Sequence, residues 1–190
     1  MPPDATETKR RIMQAAVDEF ATHGLAGARV DRIAENATAN KRSIYMHFGT
    51  KEELFDMVVA DSLLKVAESI PFDSDHLPGY AGRLFDRLEQ WPYIRRLYLW
   101  AGLEREQPVD VEVEQYRKRL SAIAEAQEAG QIRADIPAAE LMAMVIALVI
   151  SWDAATASLK ALRPEFGCQS SAGRRDAVVA AVTGLIQPPR

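Results

Sequence analysis

Between Asn40 and Lys51 the chain places Lys41, Arg42, Ser43, Tyr45, His47 and Lys51, a cluster of cations, hydroxyls and aromatic donors within twelve residues. Arginine and lysine bind guanine edges bidentately, and hydroxyl, imidazole and ammonium groups bind phosphate oxygens, so this set has the chemistry of duplex DNA recognition. The spacing decides how the groups are presented. Ile44 and Phe48 lie four apart and share one face of a helix. At about 100° per residue, Arg42, Ser43 and Met46 point away from that face while Tyr45 and His47 flank it. Asn40 is a good N-cap for such a helix. A short helix with an apolar back and a basic, polar and aromatic front fits the major groove.

The elements around it must hold that helix in place. Ile33, Ala34 and Ala37 give the preceding segment a buried side, so residues 30 to 48 read as two short helices meeting across a tight turn. Upstream, Asp4 and Glu7 offer a capping box, and Ile12, Ala16, Val17 and Phe20 repeat at helical spacing up to Gly24, a helix end. Downstream, Thr50 and Glu53 form a second capping box. It opens a helix from Lys51 to about Ser69 with Leu54, Phe55, Val58, Val59 and Leu63 as its stripe. Lys51 in that first turn opposes the helix dipole, which makes sense beside a phosphate.

Together these residues resemble the helix-turn-helix of the TetR family of transcriptional regulators. The matching positions are Arg11-Ile12, Ala15-Ala16, Phe20, Gly24, Ile33-Ala34-Glu35, Ile44-Tyr45, His47-Phe48 and Lys51-Glu52-Glu53-Leu54-Phe55. Three positions depart from the pattern: Thr38 stands where the turn has Gly, Ala39 where a larger apolar residue is usual, and Arg29 where Ser or Thr caps the first helix. A β-branched residue at positive φ is costly, so the turn is either strained or differently shaped. The resemblance implies an all-α fold, with a three-helix DNA-binding domain over residues 1–51 joined by a linking helix to a ligand-binding and dimerisation domain over 52–190. Its DNA-binding set is Arg29, Asn40, Lys41, Arg42, Ser43, Tyr45, His47 and Lys51; for Arg10 or Arg11 the alternatives are a phosphate contact and a solvated helix end. It further implies a homodimer on a palindromic operator, acting as a repressor released by a small molecule, with a ligand-independent regulator or an activator as alternatives.

Composition agrees with that division. The 190 residues are 48% hydrophobic with a net charge of −4, enough to bury a core and at first sight adverse to nucleic acid. The charge is uneven: residues 1–51 hold eight Lys/Arg against six Asp/Glu, and the remainder fifteen against twenty-one. A local basic face suffices for phosphate. One cysteine allows no internal disulfide, no apolar run reaches the roughly 18 residues of a membrane span, and the Met-Pro-Pro-Asp start lacks a secretory pattern. A cytoplasmic protein without a membrane partner is expected.

Past the seam at Ile70 to Gly79, which carries Pro71 and Pro78, a helix is expected from Gly79 to Gln90, and Pro92 and Pro108 are placed to start the next two. Val109, Val113, Tyr116, Leu120, Ile123 and Gln127 form a stripe ending near Gly130. Pro137 precedes a helix with ten consecutive apolar residues, Leu141 to Ile150, which suits deep burial. After a loop over 167–173, a last helix aligns Ala177, Val178, Ala181, Val182 and Leu185. By resemblance the last two helices pair with a second copy in a four-helix bundle, through Val145, Leu148, Trp152, Val178, Val182 and Leu185; the alternative is that both only complete the monomer core. An aromatic group that includes Tyr80, Trp91 and Tyr93 could line a pocket or simply pack. The resemblance places an unidentified ligand against Val59, Leu63, Phe85, Tyr98, Trp100 and Tyr116. Arg95, Arg96 and Arg105 could meet an anionic ligand, although a solvated helix face is the simpler reading.

No catalytic, cofactor or metal set emerges. His23, His47 and His76 are far apart, and Cys168 lies in a Gly/Ser-rich loop without a basic neighbour at close spacing. The rivals are a helical hairpin that merely packs, and an enzyme or binding protein that uses the aromatic pocket.

Overall fold

The computed structural model describes residues 5–188, so Asp4 of the expected capping box lies outside the described residues. All regular structure among them is helical: α1 (Ala5–Gly27), α2 (Val30–Asn36), α3 (Lys41–Phe48), α4 (Lys51–Ser69), α5 (Leu77–Gln90), α6 (Pro92–Glu104), α7 (Asp110–Glu128), α8 (Ala138–Val149), α9 (Ser151–Ala154), α10 (Ala157–Ala161), α11 (Arg163–Phe166) and α12 (Ser171–Ile186). The all-α expectation holds. Two compact units form, one from residues up to 65 together with 91–109, the other from 66–90 together with residues from 110 onward.

In the first unit the apolar stripes close on a single core. Ile12, Ala16 and Phe20 of α1 meet Ile33 of α2, Ile44 and Phe48 of α3, Leu54, Phe55 and Val58 of α4, and Leu97 and Ala101 of α6. The rings of Phe20 and Phe55 stand edge to face at 5.1 Å, a geometry that adds to their area burial. The Thr50–Glu53 capping box is present: the Thr50 N–H donates to Glu53 Oε2 at 2.7 Å and the Glu53 N–H to Thr50 Oγ1 at 3.1 Å. Gly24 takes φ 66°, which interrupts α1 where the sequence placed a helix end.

The second unit buries Leu77, Tyr80, Ala81, Leu84, Phe85 and Leu88 of α5 with Ile123 of α7, Leu141, Met142 and Val145 of α8, and Val178 and Val182 of α12. Arg175 with Asp86 at 2.8 Å, and Arg174 with Glu89 at 3.2 Å, tie α12 to α5.

Several sequence expectations shift here. The Asp73 carboxylate accepts the N–H groups of Asp75 and His76, and the turn so formed starts α5 at Leu77 with Pro78 in its first turn. Helix α7 begins at Asp110, leaving Pro108 in the connection and Val113 exposed. The apolar run in α8 is buried on one side only: Ala143 and Ala147 are exposed and Met144 is 43% exposed. The last helix starts inside the expected loop because Ser170 Oγ accepts the Gly173 N–H at 3.0 Å. Helices α10 and α11 were not expected, and Thr156 caps the first of them.

Candidate nucleic-acid interface

Helix α2 ends in a turn whose hydrogen bonds define its shape. The Ala39 N–H donates to the Ala34 carbonyl at 2.9 Å and the Thr38 N–H to that of Glu35 at 3.0 Å, a Schellman closure with Thr38 in the left-handed position. Thr38 has φ 49° and is the one non-glycine residue at positive φ among the described residues. The turn therefore keeps the shape that glycine would give it and carries the strain of a β-branched side chain. Ala39, half-buried, packs against the core.

Two residues later Asn40 caps α3, its Oδ1 accepting the Ser43 N–H at 2.7 Å. Ile44 and Phe48 are buried as their spacing demands. On the opposite side Tyr45 is 48% and Met46 68% exposed, Arg42 is exposed, and Ser43 and His47 are half-buried. Lys41 pairs with Asp31 of α2 at 2.8 Å, and the hydrogen bond from Lys41 holds the Asp31 carboxyl below its ordinary value. Both partners are exposed, so the pair is weak and leaves the Lys41 ammonium able to exchange the carboxylate for another acceptor. Lys51 reaches back to the Ala28 carbonyl at 3.4 Å, which sets its ammonium beside the start of α2. Arg10 pairs with Glu7 on its own helix at 2.7 Å.

What fixes this motif on its support lies outside the sequence expectation. Arg29 precedes α2 without a side-chain cap; the carboxylate of Glu19 on α1 accepts its N–H at 2.8 Å instead. Glu19 is 5% exposed and also receives Arg32 Nη2 at 2.6 Å, while that guanidinium donates to the Gly27 carbonyl at 3.0 Å. Burial alone would raise the Glu19 pKa, but the Arg32 guanidinium and the Arg29 N–H outweigh it and hold the carboxyl below its ordinary value. A charged residue on the stripe of Ile12, Ala16 and Phe20 was the signal available in the sequence. A second support comes from α6. Arg96 donates to the carbonyls of Ala21 at 2.6 Å and Thr22 at 3.1 Å, and the Glu104 carboxylate accepts the N–H groups of Leu25 and Ala26. Trp100 packs between them, so close to Gly24 that a Cβ there would lie 2.8 Å from the indole.

The comparisons with known proteins agree with this geometry. A family model described as bacterial regulatory proteins, tetR family, matches residues 12–58, and one described as tetracyclin repressor-like, C-terminal domain, matches residues 76–183. The transcriptional repressor SCO4008 of Streptomyces coelicolor is 38% identical over 187 residues, 96% of this chain and 97% of the relative. The chain belongs to the TetR family. Among solved structures, the transcriptional regulator SCO4942 of the same organism superposes with a TM-score of 0.83 at 32% identity, covering 96% of this chain and 99% of that one. FadR of Bacillus subtilis, crystallised with stearoyl-CoA, shares the fold at a TM-score of 0.67 and 14% identity over 94% of this chain and all of that one.

As a TetR-family protein the chain is a helix-turn-helix transcriptional regulator, and the rest of its expected site can be placed on the structure. Val59 is fully buried in the first unit's core, with Leu63 and Trp100 packed against that core. Tyr98 is half-buried on α6. In the second unit Phe85 is buried beneath the Arg174 guanidinium, and Tyr116 lines a groove of about 610 Å³ with Val113, Leu120, Ala124 and Ala138. Arg96 is exposed, as a solvated helix face would be, yet its guanidinium is engaged by α1, while Arg105 is largely buried and pairs with Asp56 at 2.9 Å. Of the expected dimer residues, Val145, Val178 and Val182 are taken up by the protomer's own core and cannot face a partner. Leu148, Trp152 and Leu185 stay half-buried. Cys168 is exposed, no cluster of three metal-ligating side chains occurs among the described residues, and no helix there is long and apolar enough to cross a membrane.

Proposed function

We propose that this protein is a homodimeric cytoplasmic repressor that binds a palindromic operator through α3 and leaves it when a small molecule binds the body. Residues 1–51 read DNA; residues 52–190 hold the ligand and the dimer contacts. The observation that carries the reading is the outer side of α3, where Asn40 caps a helix whose Arg42, Tyr45 and Met46 are exposed and whose Arg42 has no partner among the described residues. Arg42, Lys41 and Ser43 meet base edges, and Tyr45, His47 and Lys51 meet phosphates.

Pairing is supported by the outward rows of α8 and α12, where Ala143, Met144 and Ala147 and then Ala177, Ala180, Ala181 and Gly184 are exposed. Small residues let helices approach closely, and two copies double the bases read. Release follows from α4, which starts beside the reader at Lys51 and continues to Ser69. A ligand that tilts α4 changes the distance between the two recognition helices, and a coupling of about 1–3 kcal/mol lowers operator affinity roughly 5- to 150-fold. The Bacillus protein of this fold with stearoyl-CoA supports a small-molecule effector in general, without naming this one.

The test is selection of duplexes from a random pool, followed by sedimentation of free and bound protein. A two-fold palindrome with half-sites about 34–36 Å apart, or a multiple of that spacing, is expected. A monomer on an asymmetric site would refute the dimer, and an operator complex that no compound in a ligand screen dissociates would refute the inducible switch.

A further inference from the structure

Resting on the reading of α3 as the DNA-reading helix, we infer that Met46 determines specificity by packing on the C5-methyl group of a thymine in each half-site. The cations and hydroxyls around it account for phosphates and hydrogen-bonding base edges. They leave an apolar side chain, 68% exposed, at the centre of the same surface. Met142 on α8, by contrast, is 2% exposed, so this chain does bury methionine where a core needs it. Nothing in the fold requires Met46 to be apolar, since the buried side of α3 is filled by Ile44 and Phe48.

The major groove presents one apolar feature, the thymine methyl, and apolar side chains discriminate by covering it. Methionine suits this contact because it is unbranched, polarizable and able to adapt to a convex group. Its register is set by Arg42. The two residues are four apart, hence on one side of α3, with about 6 Å between them along the axis. Base pairs rise about 3.4 Å, so a helix lying along the groove sets Arg42 and Met46 nearly two steps apart. With Arg42 on guanine, the thymine belongs two base pairs from it, with one pair between.

Replacing thymine by uracil removes the methyl and keeps every hydrogen-bonding group. On an operator selected from a random pool, uracil at that one position should weaken the full-length protein about 4-fold per half-site and roughly 15-fold when both half-sites are changed. Met46→Ala should bind the thymine operator more weakly by a similar factor and be indifferent to uracil there, while Met46→Leu should restore most of the penalty. Wild-type protein that tolerates uracil at every thymine overturns the assignment while leaving α3 as the reader. So does Met46→Ala that keeps the full uracil penalty. A pool from which no duplex is enriched is a distinct result: it overturns the DNA-binding reading and this inference with it.

Discussion

Arg96 and Glu104 stand two turns apart on α6 and grip opposite sides of the break in α1, the guanidinium on the carbonyls of Ala21 and Thr22, the carboxylate on the N–H groups of Leu25 and Ala26. These are the orphan groups that any interrupted helix leaves, and here a neighbouring helix satisfies both kinds. Residues 96, 100 and 104 repeat at four, so one face of α6 supplies cation, ring and anion in order along the break.

Glu104→Ala leaves two backbone donors without their acceptor, at about 1–3 kcal/mol. Thermal unfolding should show the loss, with Glu104→Gln closer to wild type because its amide oxygen still accepts. An unchanged melting temperature for the alanine variant would mean that water replaces the carboxylate without cost.

Thr38→Gly should stabilise the protein. Relief of the left-handed strain, about 1–2 kcal/mol, exceeds the added chain entropy of glycine, roughly 0.5–1 kcal/mol. In a chain of this size, a net gain near 1 kcal/mol raises the melting temperature by about 2–4 °C. A fall would show that the Thr38 side chain makes contacts worth more than the strain.

Glu19 predicts a pH dependence. Its folded pKa lies below the unfolded value, so the unfolded chain binds the proton more readily, and its stabilisation is complete above the unfolded value and lost as pH falls through the folded one. Glu19→Gln should therefore be less stable than wild type at neutral pH, the gap narrowing on acidification below about pH 4.5. A gap that stays constant with pH would assign the effect to packing.

On DNA, Arg42→Ala should cost about 1–3 kcal/mol and relax one position per half-site, whereas Lys51→Ala should weaken all duplexes alike and flatten the salt slope by about one contact per half-site. Asp31→Asn removes the carboxylate that competes for Lys41 and should strengthen binding to any sequence. Titrations over a salt series distinguish these patterns; a change of preferred sequence in Lys51→Ala would reverse the roles.

Much of this reader was legible in the chain because its determinants are local. Asn40 acts on Ser43, Thr50 on Glu53, and Ile44 lies one turn from Phe48, all within the reach of periodicity and capping rules. The strained or reshaped turn at Thr38 also came from local chemistry, and the structure resolves it as strain. The staples were not legible. Arg96 meets Ala21 across 75 positions, and no short-range pattern separates such an arginine from one that binds only water. Three of the six expected dimer residues are buried in the protomer for a related reason: a run such as Leu141 to Ile150 is apolar on all sides, so periodicity cannot say which side the protomer keeps for itself, and Val145 turned inward.

The share of α6 in the first unit bears on how far this regulator can be dismantled. Leu97 and Ala101 belong to the same core as Phe20 and Phe55, yet enter the chain more than thirty residues after Lys65. A fragment cut after Lys65 would keep every side chain proposed to face DNA while leaving apolar surface on α1 wet and the break at Gly24 unbraced. Such a piece is not a portable cassette: swapping specificities between relatives should succeed by exchanging side chains on α3, and fail when the amino-terminal third is transplanted without residues 91–109.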